Sequence, residues 1–295
     1  MTLPALPSRA DDTDKSRMGR LVVVAGAHGM AGAAVLCAAA ALRSGVGYVD
    51  IVCPGAITAD LAAAVPSALT HPCGDATRRT IESVDLGVIA DAVRNATAVV
   101  VGPGLGAGVE AWLDRALDLV AHVPVLVDAD GLNAMSRHRT EIFARAAVRQ
   151  RTIPLVLTPH EGEAARLLGG DRAAVHGDRR RWIVELVAAT GAVVVLKGAR
   201  TLVAAPNGAV WESPTGNAGL AKAGSGDVLS GLIGGLLARG MEPLAAATAG
   251  VWIHGRAADV LATTGDVDTY IPSDLAAVFA TAFGDYRREV QSAAP

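Results

Sequence analysis

The sequence predicts an α/β fold with a central, mostly parallel sheet, helices on both faces and an antiparallel hairpin added to the sheet. Three observations carry this. Short Val/Ile/Leu-rich runs alternate with Ala/Leu-rich runs of helical length, the pattern of strands joined by crossover helices. Glycine clusters fall where the short runs end and the helical runs begin, and glycine tolerates the backbone angles such turns require. The 295 residues are 51% hydrophobic and 19% charged, a balance that supports one large core.

Taken in order, strands are expected over Leu21 to Ala25, Tyr48 to Val52, Ala98 to Val101, Val125 to Asp128, Leu155 to Leu157 and Val193 to Lys197. Each is short and apolar throughout, as a strand covered on both faces should be. After Lys197, the runs Thr201 to Ala205 and Ala209 to Glu212 flank Pro206-Asn207-Gly208, a turn that makes them a hairpin. From Gly226 onward helices are expected, in about three segments broken near Gly240 and between Thr263 and Pro272. Residues 1–19 are polar, with Pro4, Pro7 and no apolar core; they read as a flexible segment preceding one domain over 20–295, not as a signal peptide. No internal repeat or long linker divides that domain.

Composition narrows the function. A net charge of −3 with scattered basic residues lacks the footprint of a nucleic-acid binder or a polybasic membrane anchor. An aromatic content of 3% argues against a stacking platform, so small polar ligands are expected. The apolar runs Ala31 to Leu42 and Val228 to Ala238 are too short for a membrane span and read as buried helices. Cys37, Cys53 and Cys73 lack metal spacing and read as buried thiols. A reducing cytoplasm is the expected setting.

Three glycine clusters then stand out. Unpaired amides and the helix dipole attract phosphate to a helix N-terminus, and ligands of open α/β sheets gather at strand ends. Gly26-Ala27-His28-Gly29-Met30-Ala31-Gly32 follows the first strand; it matches neither the dinucleotide fingerprint nor a Walker loop and is a ligand loop or a plain tight turn. Gly102-Pro103-Gly104-Leu105-Gly106 holds the same place after a later strand. Strongest is Ala223-Gly224-Ser225-Gly226-Asp227-Val228-Leu229. There a phosphate-cradling turn opens a helix whose first turn carries Asp227, either a dipole partner or a base beside a bound anion.

Other residues have ordinary readings. His28 reads as solvent-facing, and His254 as packed or capping. Asp128 and Asp130 follow a strand and can cap the next helix. Trp112, Trp182, Trp211 and Trp252 are dispersed and read as structural, and the basic run Arg179 to Arg181 reads as a solvated helix face.

The stretch NAGLAKAGSGDVLSGLIGGLLARG resembles the signature of the ribokinase-like, ADP-dependent (S)-NAD(P)H-hydrate dehydratases. GRLVVVAGAHGMAGAAVLCAAAALRSGVGYV, VVVGPGLG, VLVDADGLN, LTPHEGEAARLLG and VVVLKGART agree with that family in order and approximate spacing, so the resemblance runs from about Gly19 to Asp259. It implies dehydration of the S epimer of hydrated NADH or NADPH, with ADP as co-substrate, converted to AMP and phosphate, and with Mg2+. It implies Asp227 as the base or substrate-hydroxyl ligand, with Gly224, Ser225 and Gly226 as the anion hole. Lys197, Gly198, Ala199, Arg200 and Thr201, together with Gly226, would bind the nucleotide. Ala33, Gly104, Gly106 and His160 would meet the hydrated nicotinamide, and Glu163 would serve the metal. Bifunctional relatives carry an epimerase domain; this chain is expected to lack one, to depend on a separate epimerase and to form a homo-oligomer, possibly a tetramer. The alternatives are a vitamin-precursor kinase of the hydroxyethylthiazole or phosphomethylpyrimidine type and a nucleotide-binding regulator without turnover.

Overall fold

The computed structural model describes residues 2–139, 143 and 152–292. The chain opens β1 (Arg20–Val24), α1 (Ala31–Arg43), β2 (Tyr48–Pro54), α2 (Thr58–Ala64), β3 (Leu69–Cys73) and α3 (Leu86–Val93). It continues through β4 (Ala98–Val101), α4 (Leu113–Leu119), β5 (Val125–Val127), α5 (Ala129–Arg137), β6 (Val156–Leu157), α6 (Glu161–Leu168), α7 (Arg172–Gly177) and α8 (Arg179–Thr190). The last elements are β7 (Val193–Leu196), β8 (Leu202–Ala204), β9 (Val210–Glu212), α9 (Ser225–Ala238), α10 (Pro243–Ala262), α11 (Pro272–Ala277) and α12 (Phe279–Ser292).

The strands form one nine-stranded sheet in the order β3-β2-β1-β4-β5-β6-β7-β8-β9. Every pairing from β3 to β7 is parallel, and β8 and β9 add the expected antiparallel hairpin. Period-two alternation splits the core between the two faces. Leu21, Val23 and Val100 pack with α1 and α9 to α12, whereas Val22, Val24, Val99 and Val101 pack with α3 to α6 and α8.

β3 lies outside the expected strands. Its sequence, Leu-Thr-His-Pro-Cys, has no apolar run because it forms the sheet edge and buries only Cys73, and an edge position also tolerates Pro72. The C-terminal region makes four helices, one more than expected, because the chain turns at Val278 between α11 and α12. Residues before β1 lie against the fold: Leu3 and Leu6 pack on the first core, and Tyr286 Oη donates to Pro4 O at 2.7 Å. The three cysteines are buried and unpaired. Among the described residues no helix is long and apolar enough to cross a membrane.

Two features position the site. After β1 the chain builds β2 and β3 on one side and later resumes with β4 on the other, so the carboxyl ends of β1 and β4 flank a topological switch point, where open α/β sheets bind ligands. Helix α9 packs so tightly on α1 that a Cβ on Gly231 would stand 1.9 Å from Cys37 O. That contact fixes where the N-terminus of α9 arrives.

Candidate active site

The loops after β1 and β4 meet at the switch point. Gly26 N donates to Pro103 O at 2.8 Å, and Gly102 N to Val24 O at 3.1 Å. Gly104 has φ +61°, and a Cβ there would stand 2.8 Å from Ala33 Cβ. Gly106 N donates to Asp130 Oδ2 at 2.8 Å. Gly104 and Gly106 both abut Met30, and Gly104 also abuts Ala33, so three of the expected substrate residues, Ala33, Gly104 and Gly106, lie together at the switch point; His28 is exposed.

The Asn217 to Gly231 stretch divides into a brace and a cradle. Asn217 Oδ1 accepts from Gly219 N at 3.1 Å and from Tyr270 Oη at 2.7 Å, while its amide donates to Asp259 at 3.2 Å. Lys222 Nζ donates to the carbonyls of Tyr270 and Asp268. These bonds anchor the run from the far side, so Lys222 ties it to the loop before α11. The cradle starts at Gly224, which caps α9 with φ 96°, a left-handed angle that favours glycine. Ser225 is buried, its hydroxyl 3.4 Å from His254 Nε2. Burial pushes His254 down to about 4, so it is neutral and packed, as expected.

Asp227 sits in the first turn of α9. Burial, then the charge of Asp128, push its carboxyl up to about 7 against the opposing pull of Lys197. Proton-transfer groups work best with a pKa near the operating pH, and such shifts concentrate at functional sites.

The structure corrects two sequence readings here. Asp128 occupies the N-cap position of α5 yet makes no capping bond. Its Oδ1 instead accepts from Lys197 Nζ at 2.7 Å and its Oδ2 from Ser230 Oγ at 2.7 Å. Asp128 is 1% exposed, and the next residue, Ala129, has φ 47°, backbone strain of the kind held at functional sites. Lys197 reaches back to this carboxylate and stands 3.7 Å from Glu163 Oε2. A Cβ on Gly226 would come 3.2 Å from the same ammonium, so a glycine leaves room for it. Local patterning does not bring Asp128 and Ser230 together; their signals were an acid at a strand end and the family-like segments that contain them.

The second correction concerns Arg179 to Arg181. Arg180 and Arg181 make the exposed pairs expected, with Glu212 and Glu185. Arg179 does not, because its guanidinium turns in against the loop that contains Gly198 to Thr201. Within that loop Arg200 points away to Glu212 at 3.1 Å, and Thr201 Oγ1 donates to Gly198 O at 3.1 Å.

His160 and Glu163 open α6 as a capping box. Glu163 Oε2 accepts from His160 N at 2.8 Å, and His160 Nδ1 accepts from Gly162 N at 2.9 Å and Glu163 N at 3.2 Å. An accepting Nδ1 leaves the ring proton on Nε2, and burial followed by Lys197 lowers the pKa of His160, keeping it neutral. Burial raises that of Glu163.

Among the described residues no group of three or more His, Cys, Asp or Glu side chains is arranged to hold a metal ion. Mg2+ does not require one, since it keeps several waters and takes one or two carboxylates plus phosphate oxygens. Asp128, Asp130 and Glu163 all raise the Asp227 pKa against Lys197 alone. A polyphosphate entering so acidic a site needs an accompanying cation, and in that sense the residues fit Mg2+.

The strand order around the switch point, the antiparallel hairpin and the glycine-capped start of α9 define a ribokinase-like α/β fold. A ribokinase-like superfamily protein of Enterococcus faecalis has this fold, with TM-score 0.80 at 24% identity over 95% of this chain and 92% of that one. The family profile described as NAD(P)H-hydrate dehydratase matches residues 21–280, and the chain belongs to that family. It is 42% identical over 262 residues to the ADP-dependent (S)-NAD(P)H-hydrate dehydratase of Neisseria meningitidis serogroup B, covering 86% of this chain and 81% of that one. The crystal structure of the Bacillus subtilis ADP/ATP-dependent NAD(P)H-hydrate dehydratase, grown with ATP and Mg2+, superposes with TM-score 0.77 at 29% identity over 95% and 94% of the two chains. The chain spans about half the length of bifunctional NAD(P)H-hydrate repair enzymes, 47% for Moorella thermoacetica and 48% for Escherichia coli.

Proposed function

We propose that this enzyme restores NADH and NADPH from the S epimer of their hydrates, coupling loss of water to conversion of ADP to AMP and phosphate. The observation that carries the reading is Asp227, whose carboxyl burial and the charge of Asp128 push up to about 7, beside a glycine turn that leaves room for the half-buried Lys197. The ring hydroxyl of the hydrate is a poor leaving group. Phosphorylated, it departs as phosphate while the neighbouring ring carbon gives up a proton to water and the double bond re-forms, so a kinase-like site serves a net dehydration.

In this reading the hydrated ring lies against Ala33, Gly104 and Gly106 and meets the neutral His160. Asp227 takes the hydroxyl proton as the oxygen attacks the terminal phosphorus of ADP. The amides of Gly224, Ser225 and Gly226 and the dipole of α9 stabilise charge on the transferred group. Lys197, oriented by Asp128, adds positive charge on the other side. Mg2+, which Glu163 would help to hold, would neutralise the phosphates when bound.

The assay is direct. Hydrated NADH, ADP and Mg2+ incubated with the protein should regain the absorbance of reduced nicotinamide, and no recovery with ADP or ATP sinks the reading. A phosphorylated product accumulating without recovery would favour a kinase. Only the S epimer should be consumed, the other requiring an epimerase. A homo-oligomer, expected from the resemblance, is read by light scattering. Most of α10, apolar enough to suggest an interface, is occupied within this chain's own core.

A further inference from the structure

We propose that Arg179 is a positioning residue that locks the Lys197 to Thr201 loop in its nucleotide-binding shape and couples it to the start of α6. The proposal rests on reading that loop as the nucleotide site. One guanidinium makes three bonds to its backbone: Nη1 donates to Ala199 O at 2.6 Å and to Arg200 O at 3.2 Å, and Nη2 donates to Leu196 O at 2.9 Å. The planar five-donor fork suits this task, and a lysine cannot reproduce it.

The loop has reason to need a lock. Arg200 has φ 54°, the left-handed region that is unfavourable for a residue with a side chain and persists only where surrounding contacts enforce it. Gly198 lies in the positive region as well, and a Cβ there would stand 2.8 Å from Arg179 Nη2, so the guanidinium fills the space against the loop. Its own side chain is only 16% exposed.

On its other side Arg179 Nε stands 3.4 Å from Glu161 Oε1. Glu161 is the first residue of α6, directly after His160 and two before Glu163. The same carboxylate meets His176 at 3.2 Å and Arg172 at 3.8 Å, so it gathers the ends of α7 and α8 against α6. Arg179 and Glu161 thereby tie the lysine-bearing loop to the helix that carries His160 and Glu163, and neither side chain needs to touch a ligand.

The test compares wild type with Arg179→Met, Arg179→Lys, Glu161→Gln and the Arg179→Met/Glu161→Gln double variant, with Arg181→Ala as an exposed control. Calorimetry gives the Kd for ADP, hydrate repair gives kcat and both KM values, and circular dichroism reports the folded fraction. Arg179→Met should raise the Kd for ADP about tenfold, the loss of roughly one charged hydrogen bond, with the KM for hydrate nearly unchanged. Glu161→Gln should raise it less, Arg179→Lys should fall between, and the double variant should equal Arg179→Met, because the two residues act in series. A folded Arg179→Met that binds ADP like wild type overturns the lock, as does fully additive behaviour. A purely structural role would lower the folded fraction while leaving Kd and KM alone, which also overturns it; should Arg179→Met not fold, Glu161→Gln decides by the same criterion. Wild type that binds neither ADP nor ATP refutes the nucleotide reading instead, a distinguishable failure.

Discussion

Asp227→Asn should make the ligand-free protein more stable while abolishing turnover, and the gain should grow with pH. The carboxyl has been moved from 3.8 to about 7. At about 1.4 kcal/mol per unit, keeping it ionised costs the folded state about 4 kcal/mol. The unfolded chain releases this proton near 3.8 and the folded chain near 7, so across that window the unfolded state binds fewer protons and stability falls as pH rises. About half of the cost is present at pH 5.5 and all of it above about pH 8. Asparagine keeps the shape and removes the charge. Water still reaches the half-buried group, which brings the expected gain at pH 8 down to about 1–3 kcal/mol, or about 2–8 °C in Tm. Thermal melts of the two proteins at pH 5.5 and 8, without ligands, measure it. A gain absent at pH 8, or equal at both pH values, refutes the account of Asp227 as a desolvated carboxylate crowded by like charges.

The same titration predicts that log kcat/KM rises with unit slope below about pH 7 and levels above it, since Asp227 acts as a base only when ionised; a flat profile between pH 6 and 8 contradicts that role. Asp128→Asn removes the 2.7 Å charged partner of the half-buried Lys197 and leaves only Glu163, at 3.7 Å; it should cost about 1.5–3 kcal/mol, the loss of a charged hydrogen bond, read as a Tm loss. Adding Lys197→Met should recover part of that loss, and strict additivity would show that the pair is not coupled. Gly231→Ala drives a methyl into Cys37 O and should cost about 3 kcal/mol; a Tm within 1 °C of wild type would mean that α9 and α1 can separate at no cost.

Much of this site could be read from local patterns. Gly224 to Asp227 declared itself because a turn, a helix start and an acid lie within a few residues, and the strands declared themselves by short apolar runs. Arg179 could not be read this way. Between Asp178 and Arg180 it looks like any solvated base, and only the fold brings the carbonyls of Leu196 and Ala199 against it. β3 was hidden for a related reason, since an edge strand buries too little to carry an apolar signature.

The sequence by itself determined the α/β architecture, the hairpin, the cradle at Gly224 and the family. These depend on periodicity, turn chemistry and residue order, all of which act over a few neighbours. Tertiary structure alone decided what charges surround Asp227. Asp128 meets Lys197 across 69 residues and Ser230 across 102, separations over which no local preference acts. Strand order at the switch point and the close approach of α9 to α1 bring those groups into one site, where burial and the charge of Asp128 push the Asp227 carboxyl up to about 7.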